Sequence, residues 1–444
     1  MPKNLANLST SAFSVRIAVT AIVITFLAAW AVLRAGTDSA TQPARSPVTQ
    51  SRASIAATPA LAATPSAPPQ RGIEERLPPR VRQSVHAWRQ FVSAKFAGDH
   101  SCAECHEAEY AAHQRSGHSR TLTLMHQSPL ADKLAEQGSY QDSRRDQTFQ
   151  FKTTPNHSSN VSPKHASDHP SEAFLVSEAA HASGVVVPVT WLLGSGIHAQ
   201  TPIAVDEITQ SGVELRWSAF AGQEDIGITP DHERFDDFQA GTIECFGRPL
   251  DASDIRACLG CHSTLAAPPS LPIMQSLVIE NVGCERCHGP RKDHVTLAKQ
   301  GLAEQAKPLL KYETGEAYMD ACATCHRDES SVQADATPSE LARFQPYGIK
   351  RSRCYLETPG NLTCSTCHDP HDTVSHDRSR SIAQCKQCHG GTEDGPSTKH
   401  VGPIPNDSQT VCPDQPSGDC IECHMPAVSW TAGISFHDHW IRVQ

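Results

Sequence analysis

The chain has 444 residues, 38% of them hydrophobic and 19% charged, with a formal net charge of −10, 17 cysteines and 24 histidines. Its apolar share is lower than the roughly 45–50% of a typical globular domain, a value that also counts glycine, so protein side chains alone supply a thin core. The acidic balance argues against nucleic acid as a partner and favours cationic docking surfaces.

Lys3 and Arg16 precede an uncharged apolar run from Ile17 to Leu33, which Arg34 closes. That run reaches about 26 Å as a helix, near the lower limit for crossing a bilayer, and the basic residues ahead of it favour an N-in orientation. Residues 1–35 are thus expected to be a signal anchor, a single transmembrane helix holding the chain on the periplasmic side of the cytoplasmic membrane. Ala29-Trp30-Ala31 also offers a small-x-small cleavage site. Residues 36–71 are dominated by Ala, Pro, Ser and Thr without apolar periodicity, the composition of a disordered linker. From Arg80 to Phe96, apolar residues at Val81, Val85, Trp88, Phe91 and Val92 follow a helical spacing.

Seven copies of Cys-x-x-Cys-His come next. They are Cys102/Cys105/His106, Cys258/Cys261/His262, Cys284/Cys287/His288, Cys322/Cys325/His326, Cys364/Cys367/His368, Cys385/Cys388/His389 and Cys420/Cys423/His424. Independent placement of the Cys and His present would give roughly 0.03 such pentapeptides. The spacing reads as c-type haem attachment, with two thioether bonds to the cysteines and the histidine on iron. Zinc sites and disulfide scaffolds do not require a histidine directly after every second cysteine. Seven covalently attached haem c groups are therefore expected, in one heptahaem cytochrome c domain over residues 72–444. Six of the motifs fall between Cys258 and His424. At that density the macrocycles must lie close together and form the core, and this part is not expected to fold without them. Each haem with ionised propionates adds one negative charge when ferric and two when ferrous, taking the holoprotein to about −17 oxidised and about −24 reduced.

Between the first two motifs, residues 107–257 carry no haem motif. Val185-Val186-Val187-Pro188-Val189-Thr190-Trp191-Leu192 is β-rich, and Val213-Glu214-Leu215-Arg216-Trp217 alternates apolar and polar residues. The fold class expected is mainly α and coil around stacked haems, with a small antiparallel β-sheet inserted at about residues 140–245.

The second axial position of each iron needs a residue from elsewhere, because the segment beside an attachment site is held on the proximal face. His118, His294 and His371 follow motifs closely, His198 ends Leu193-Gly194-Ser195-Gly196-Ile197-His198, and His439 and His400 lie towards the C-terminus. These six are the candidate distal ligands. His157, His165, His169 and His181 fall in a polar insertion and read as solvated. Methionine is the other axial option, with Met125 and Met425 as its candidates, and predominantly bis-histidine ligation is expected. Of the three cysteines left over, Cys354 and Cys412 are the preferred disulfide pair, and Cys245 reads as a buried thiol or the relic of a haem site.

Together these segments resemble a family of multihaem c-type cytochromes related to the tetrahaem carrier that accepts electrons from hydroxylamine oxidoreductase. The matching stretches are Ser101-Cys102-Ala103-Glu104-Cys105-His106 with Ser116-Gly117-His118, the segment ending at His198, Val282-Gly283-Cys284-Glu285-Arg286-Cys287-His288-Gly289-Pro290 with His294, Leu362-Thr363-Cys364 through Asp369-Pro370-His371, and Cys420 through Met425-Pro426. The resemblance implies a periplasmic haem wire, with His118, His198, His294, His371 and His439 at the family's recurring histidine positions. No lysine replaces a motif histidine, so the lysine-ligated catalytic haem of pentahaem nitrite reductases is not indicated. The function expected is electron transfer between redox protein partners. The alternative is a multihaem oxidoreductase acting on a small nitrogen or sulfur compound at one five-coordinate haem.

Overall fold

The fold is that of a computed structural model, which describes residues 71–154, 174–182, 185–223, 226–306, 312–389, 419–431 and 433–442. The helix expected from Arg80 is α1 (Pro79–Lys95), which starts with proline at its first turn and ends where Phe96 turns extended. Its apolar stripe buries Val85 and packs Val81 and Trp88 against Leu271, Met274 and Leu277.

The haem-free stretch is larger than one small sheet. Its strands are β1 (Leu122–Leu124), β2 (Ser139–Asp142), β3 (Gln147–Thr154), β4 (Phe174–Ala179), β5 (Val186–Pro188), β6 (Trp191–Leu193), β7 (Ala199–Asp206), β8 (Ser211–Leu215), β9 (Trp217–Phe220), β10 (Ile226–Ile228) and β11 (Gly247–Leu250). One sheet runs β1-β6-β7-β8-β11, with β9 paired to β7 and β10 to β9; the other runs β2-β3-β4-β5. The described pairings are antiparallel, with Trp191 opposite Leu124 on one side and Ile203 on the other. Both sheets contribute to one apolar cluster that includes Phe149, Phe151, Leu192, Val213, Leu215 and Trp217, in which Phe151 meets Trp217 edge to face at 4.9 Å. The two β-rich stretches of sequence are each split. Val189 and Thr190 separate β5 from β6, and Arg216 separates β8 from β9, its N–H donating to the Phe246 carbonyl in line with the β8–β11 register. Gly247 opens β11 with a φ of 151°, and a Cβ there would lie 2.0 Å from the Glu214 carbonyl oxygen.

Arg216 is fully buried at the seam of these elements. Its guanidinium donates to the Asp142 carboxylate, to Asp236 and to the His232 carbonyl. Asp142 is also fully buried, so the pair is desolvated and depends on this full set of partners. Cys245 is buried in the same apolar cluster, as a buried thiol would be, and so is Met125, which is fully enclosed there.

The remainder is short helices and coil. Among the described residues from Cys284 to Arg442, the buried apolar side chains are Met319, Ala342, Phe344 and Ile434. The apolar clusters belong to the sheets and to the segment up to Leu277.

The N-terminal run Ile17–Leu33, the linker up to Gln70, His157, His165, His169, His400 and Cys412 lie outside the described residues. No helix among the described residues is long and apolar enough to cross a membrane. Even the 17-residue α1 carries Arg80, Arg82, Arg89 and Lys95, charges that a bilayer interior does not accommodate. This overturns the expectation of a chain held on the periplasmic side by a transmembrane helix.

Candidate haem centres

The seven motifs adopt related local structures. Those of His262, His326 and His389 close the helices Ala252–His262, Gly315–His326 and Arg378–His389. Those of His288, His368 and His424 form or follow the short helices Cys284–His288, Cys364–Cys367 and Cys420–His424. His106 directly precedes the helix Glu107–Arg115. In helical backbone, residues three and four apart share a face, so the two cysteines and the histidine of a motif are directed to the same side.

The polypeptide does not enclose the attachment thiols evenly. The first cysteine of every motif is half-buried, as are Cys261 and Cys325, whereas Cys105, Cys287, Cys367, Cys388 and Cys423 are exposed. Cys388 and Cys423 belong to the last two motifs. Their helices, Arg378–His389 and Cys420–His424, bury no side chain and lie outside the three apolar clusters. For Cys388 and Cys423 the assignment as thioether sites rests on the motif spacing, with no facing histidine for their motifs among the described residues.

Four motif histidines stand opposite histidines from distant parts of the chain. Ring centres are 6.5 Å apart for His106 and His294, 6.2 Å for His118 and His326, 6.1 Å for His288 and His371, and 6.2 Å for His368 and His439. A metal–imidazole bond is about 2.0–2.1 Å, and the nitrogen lies about 1.1 Å from the ring centre, so two rings on opposite faces of one iron have centres about 6.2–6.4 Å apart. The residues therefore fit haem iron between them. The planes of the pairs differ: 2° between His288 and His371, 29° for His106 and His294, 32° for His368 and His439, and 68° for His118 and His326.

Hydrogen bonding fixes several of these rings. His262 Nδ1 bonds the Thr121 carbonyl at 2.9 Å, His424 Nδ1 the Arg442 carbonyl at 3.0 Å, and His439 Nδ1 the His437 carbonyl at 2.9 Å. Such bonds set the tautomer and leave Nε2 for a metal. Burial lowers the basicity of His118, His262, His288 and His368, and takes His439 down to about 4. Each is thus held neutral, the form that binds metal.

Contacts between motifs bring the attachment sites together. Arg286 donates to the Gly260 carbonyl at 2.6 Å, linking the motifs of His288 and His262. Cys261 Sγ lies 3.6 Å from the Thr324 carbonyl oxygen, and Cys364 Sγ 3.4 Å from Met319 Sδ. The Cys284 N–H donates to Asp99 at 3.0 Å, and Arg378 pairs with Asp419 ahead of the last motif.

Not every candidate is brought to a motif histidine. His198 instead packs edge to face on Phe436 at 5.2 Å. Among the described residues, no second imidazole stands at the pair spacing from His262, His389 or His424. Nothing in the sequence points to the carbonyls of Thr121 and Arg442, since a backbone acceptor has no residue signature. His113 carries no sequence signal either; it is buried and bonds the Val282 carbonyl through Nε2 at 2.9 Å.

Residues 241–289, which hold the motifs of His262 and His288, match the family described as cytochrome c554 and c-prime. No curated protein matches the chain. Among solved structures, the crystal structure of outer cell wall cytochrome OcwA is similar at a TM-score of 0.40 and 15% identity, covering 78% of this chain and 79% of that one. The family match supports a multihaem c-type cytochrome with covalently bound haem c.

Proposed function

We propose that this multihaem c-type cytochrome is an electron carrier. On this reading it holds seven haem c groups, most of them between two histidines, and passes electrons among closely spaced centres from one redox protein to another. The observation that carries the reading is the set of four imidazole pairs at 6.1–6.5 Å. When bound, haem supplies a one-electron ferric–ferrous couple. Two histidines close both faces of an iron to small molecules, which suits electron transfer and leaves no coordination site for a substrate.

The pairs also interleave. His294 follows the motif of His288 yet faces His106, His371 follows the motif of His368 yet faces His288, and His118 follows the first motif yet faces His326. Ligands shared in this way tie neighbouring centres to one another. Among the described residues, the scarcity of buried apolar side chains beyond Cys284 supports haems that pack as the core. The acidic surface, made more negative by haem, suits partners with cationic faces.

Electron paramagnetic resonance of the oxidised holoprotein, integrated against haem content, tests the reading. Low-spin signals unchanged by cyanide or nitrite are expected for the paired centres. High-spin ferric haem at all or most sites would overturn it. The second reading, an oxidoreductase acting on a small nitrogen or sulfur compound, is favoured by His262, which is half-buried and, like His389 and His424, has no facing imidazole among the described residues. A single high-spin centre that shifts with such ligands, and is lost on replacing His262, would select that reading.

A further inference from the structure

The C-terminal segment from Phe436 to Arg442 carries His439 to within 6.2 Å of His368, ring centre to ring centre. It crosses the helix Gln345–Arg351 at Gly348, which is buried. A Cβ on Gly348 would lie 2.6 Å from Trp440 N and 2.7 Å from the His439 carbonyl carbon. These are backbone atoms, so no side chain can swing aside to relieve the clash. The backbone of Gly348 is ordinary helix; glycine is required here for space.

One turn on, Ser352 is fully buried. Its Oγ accepts from Ile441 N at 2.8 Å and has the carbonyls of His439 and Gly348 in donor range, each at 3.2 Å. The Ser352 hydroxyl thus grips the segment on both sides of Trp440. The Trp440 ring meets two guanidinium groups, Arg351 at 4.7 Å and Arg442 at 4.3 Å. Asp438 accepts from Trp440 N at 2.9 Å and pairs with Arg442 at 2.8 Å. The same segment reaches the last motif, where the Arg442 carbonyl accepts from His424 Nδ1 at 3.0 Å.

We infer that Gly348 and Ser352 are positioning residues: they form a seat that presses the C-terminal segment down so that His439 is held as the distal ligand opposite His368. This rests on the bis-histidine reading of that pair. It adds that the ligand is placed by a close backbone approach and one buried hydroxyl on a different element.

The test compares the holoproteins of G348A, S352A, H439A and K350A, the last a control on the same helix that removes ion pairs to Asp320 and Asp328 but no contact of the seat, by electron paramagnetic resonance, each integrated against total haem. H439A should convert one haem in seven from low to high spin. G348A should give the same conversion with haem content unchanged, and G348A/H439A should give no more than either alone. S352A should convert a fraction of that one haem, with S352T restoring it, and K350A should convert none. If H439A leaves every haem low-spin, the pairing with His368 fails, and the inference with it. If H439A converts one haem but neither G348A nor S352A does, or K350A does so equally, the seat is refuted while the pairing stands. Should G348A assemble with fewer than seven haems, S352A and its threonine rescue decide the matter.

Discussion

Replacing His118 with alanine probes one centre whose geometry sets it apart. The His118 and His326 rings cross at 68°, whereas the other three pairs lie at 2°, 29° and 32°. Each imidazole donates from the p orbital normal to its ring into one of the two iron d orbitals that point between the haem nitrogens. Near-parallel rings act on the same d orbital and split the two; near-perpendicular rings act on one each and leave them almost equal. The crossed pair should therefore give a strongly anisotropic low-spin signal, and the three others rhombic ones. H118A removes one ring of the crossed pair, and an alanine methyl falls several ångströms short of a metal bond of about 2 Å. One haem of seven, about 14% of ferric iron, should pass to a high-spin form that binds cyanide. The lost low-spin intensity should come from the anisotropic signal alone. Resonance spectra integrated against haem content, with cyanide titration followed optically, measure both quantities. Loss from the rhombic class, or a variant that remains wholly low-spin, would refute the pairing.

Three further outcomes are expected. Arg216→Met strands the fully buried Asp142 carboxylate and should destabilise the β-sheet region by about 3–5 kcal/mol, with Arg216→Met/Asp142→Leu recovering most of it; thermal melting followed in the far ultraviolet compares them. Asp236 is held down to about 2, first by Arg144 and then by Arg216. A carboxylate depressed in the folded state gives stability that is full above its unfolded value near 3.9 and is lost as pH falls towards about 2. The melting temperature of the sheets should thus drop from about pH 4 downwards, and Asp236→Asn should flatten that drop. Finally, chain made without haem should keep protease-resistant sheets between Leu122 and Leu250, whose apolar clusters are protein-built, while residues 284–442 are cleaved.

The sequence is most legible where chemistry dictates spacing. A thioether pair and an adjacent histidine can be recognised without any fold, and a histidine just beyond a motif is barred from its own iron by geometry, which directs His118, His294 and His371 to other centres. The helix at Pro79–Lys95 was legible because its apolar residues recur at helical spacing over four turns. The extent of the β region was not, because β1, β5, β6 and β10 have three residues each, too few to show alternation. Nor does the motif say how deeply its thiols lie: Cys388 and Cys423 share their pentapeptide with Cys261 and Cys325, yet only the latter two are half-buried. His198 shows the limit of local sequence: flanking glycines mark a constrained turn but not what the ring meets, and that is Phe436, far along the chain. The seat at Gly348 was equally hidden, since a glycine needed for space in a helix looks like any other.

The interleaved histidine pairs have a consequence for how such a chain is made. His106 waits about 190 residues for His294, and His118 about 210 for His326, whereas His288 and His368 wait about 80 and 70 for their partners; loop-closure entropy separates these spans by only about 1 kcal/mol. Order of appearance, more than energy, then decides which partner arrives first. On the bis-histidine reading, with haem attached as the chain emerges at about 5–20 residues per second, the first iron would spend about 10–40 s with one face open. During that interval His126, His157, His165, His169, His181 and His198 all emerge before His294. An imidazole captured early would have to be released before the native pair could form, so maturation of this protein is a contest between ligands, and its slowest step is expected to be the correction of such errors.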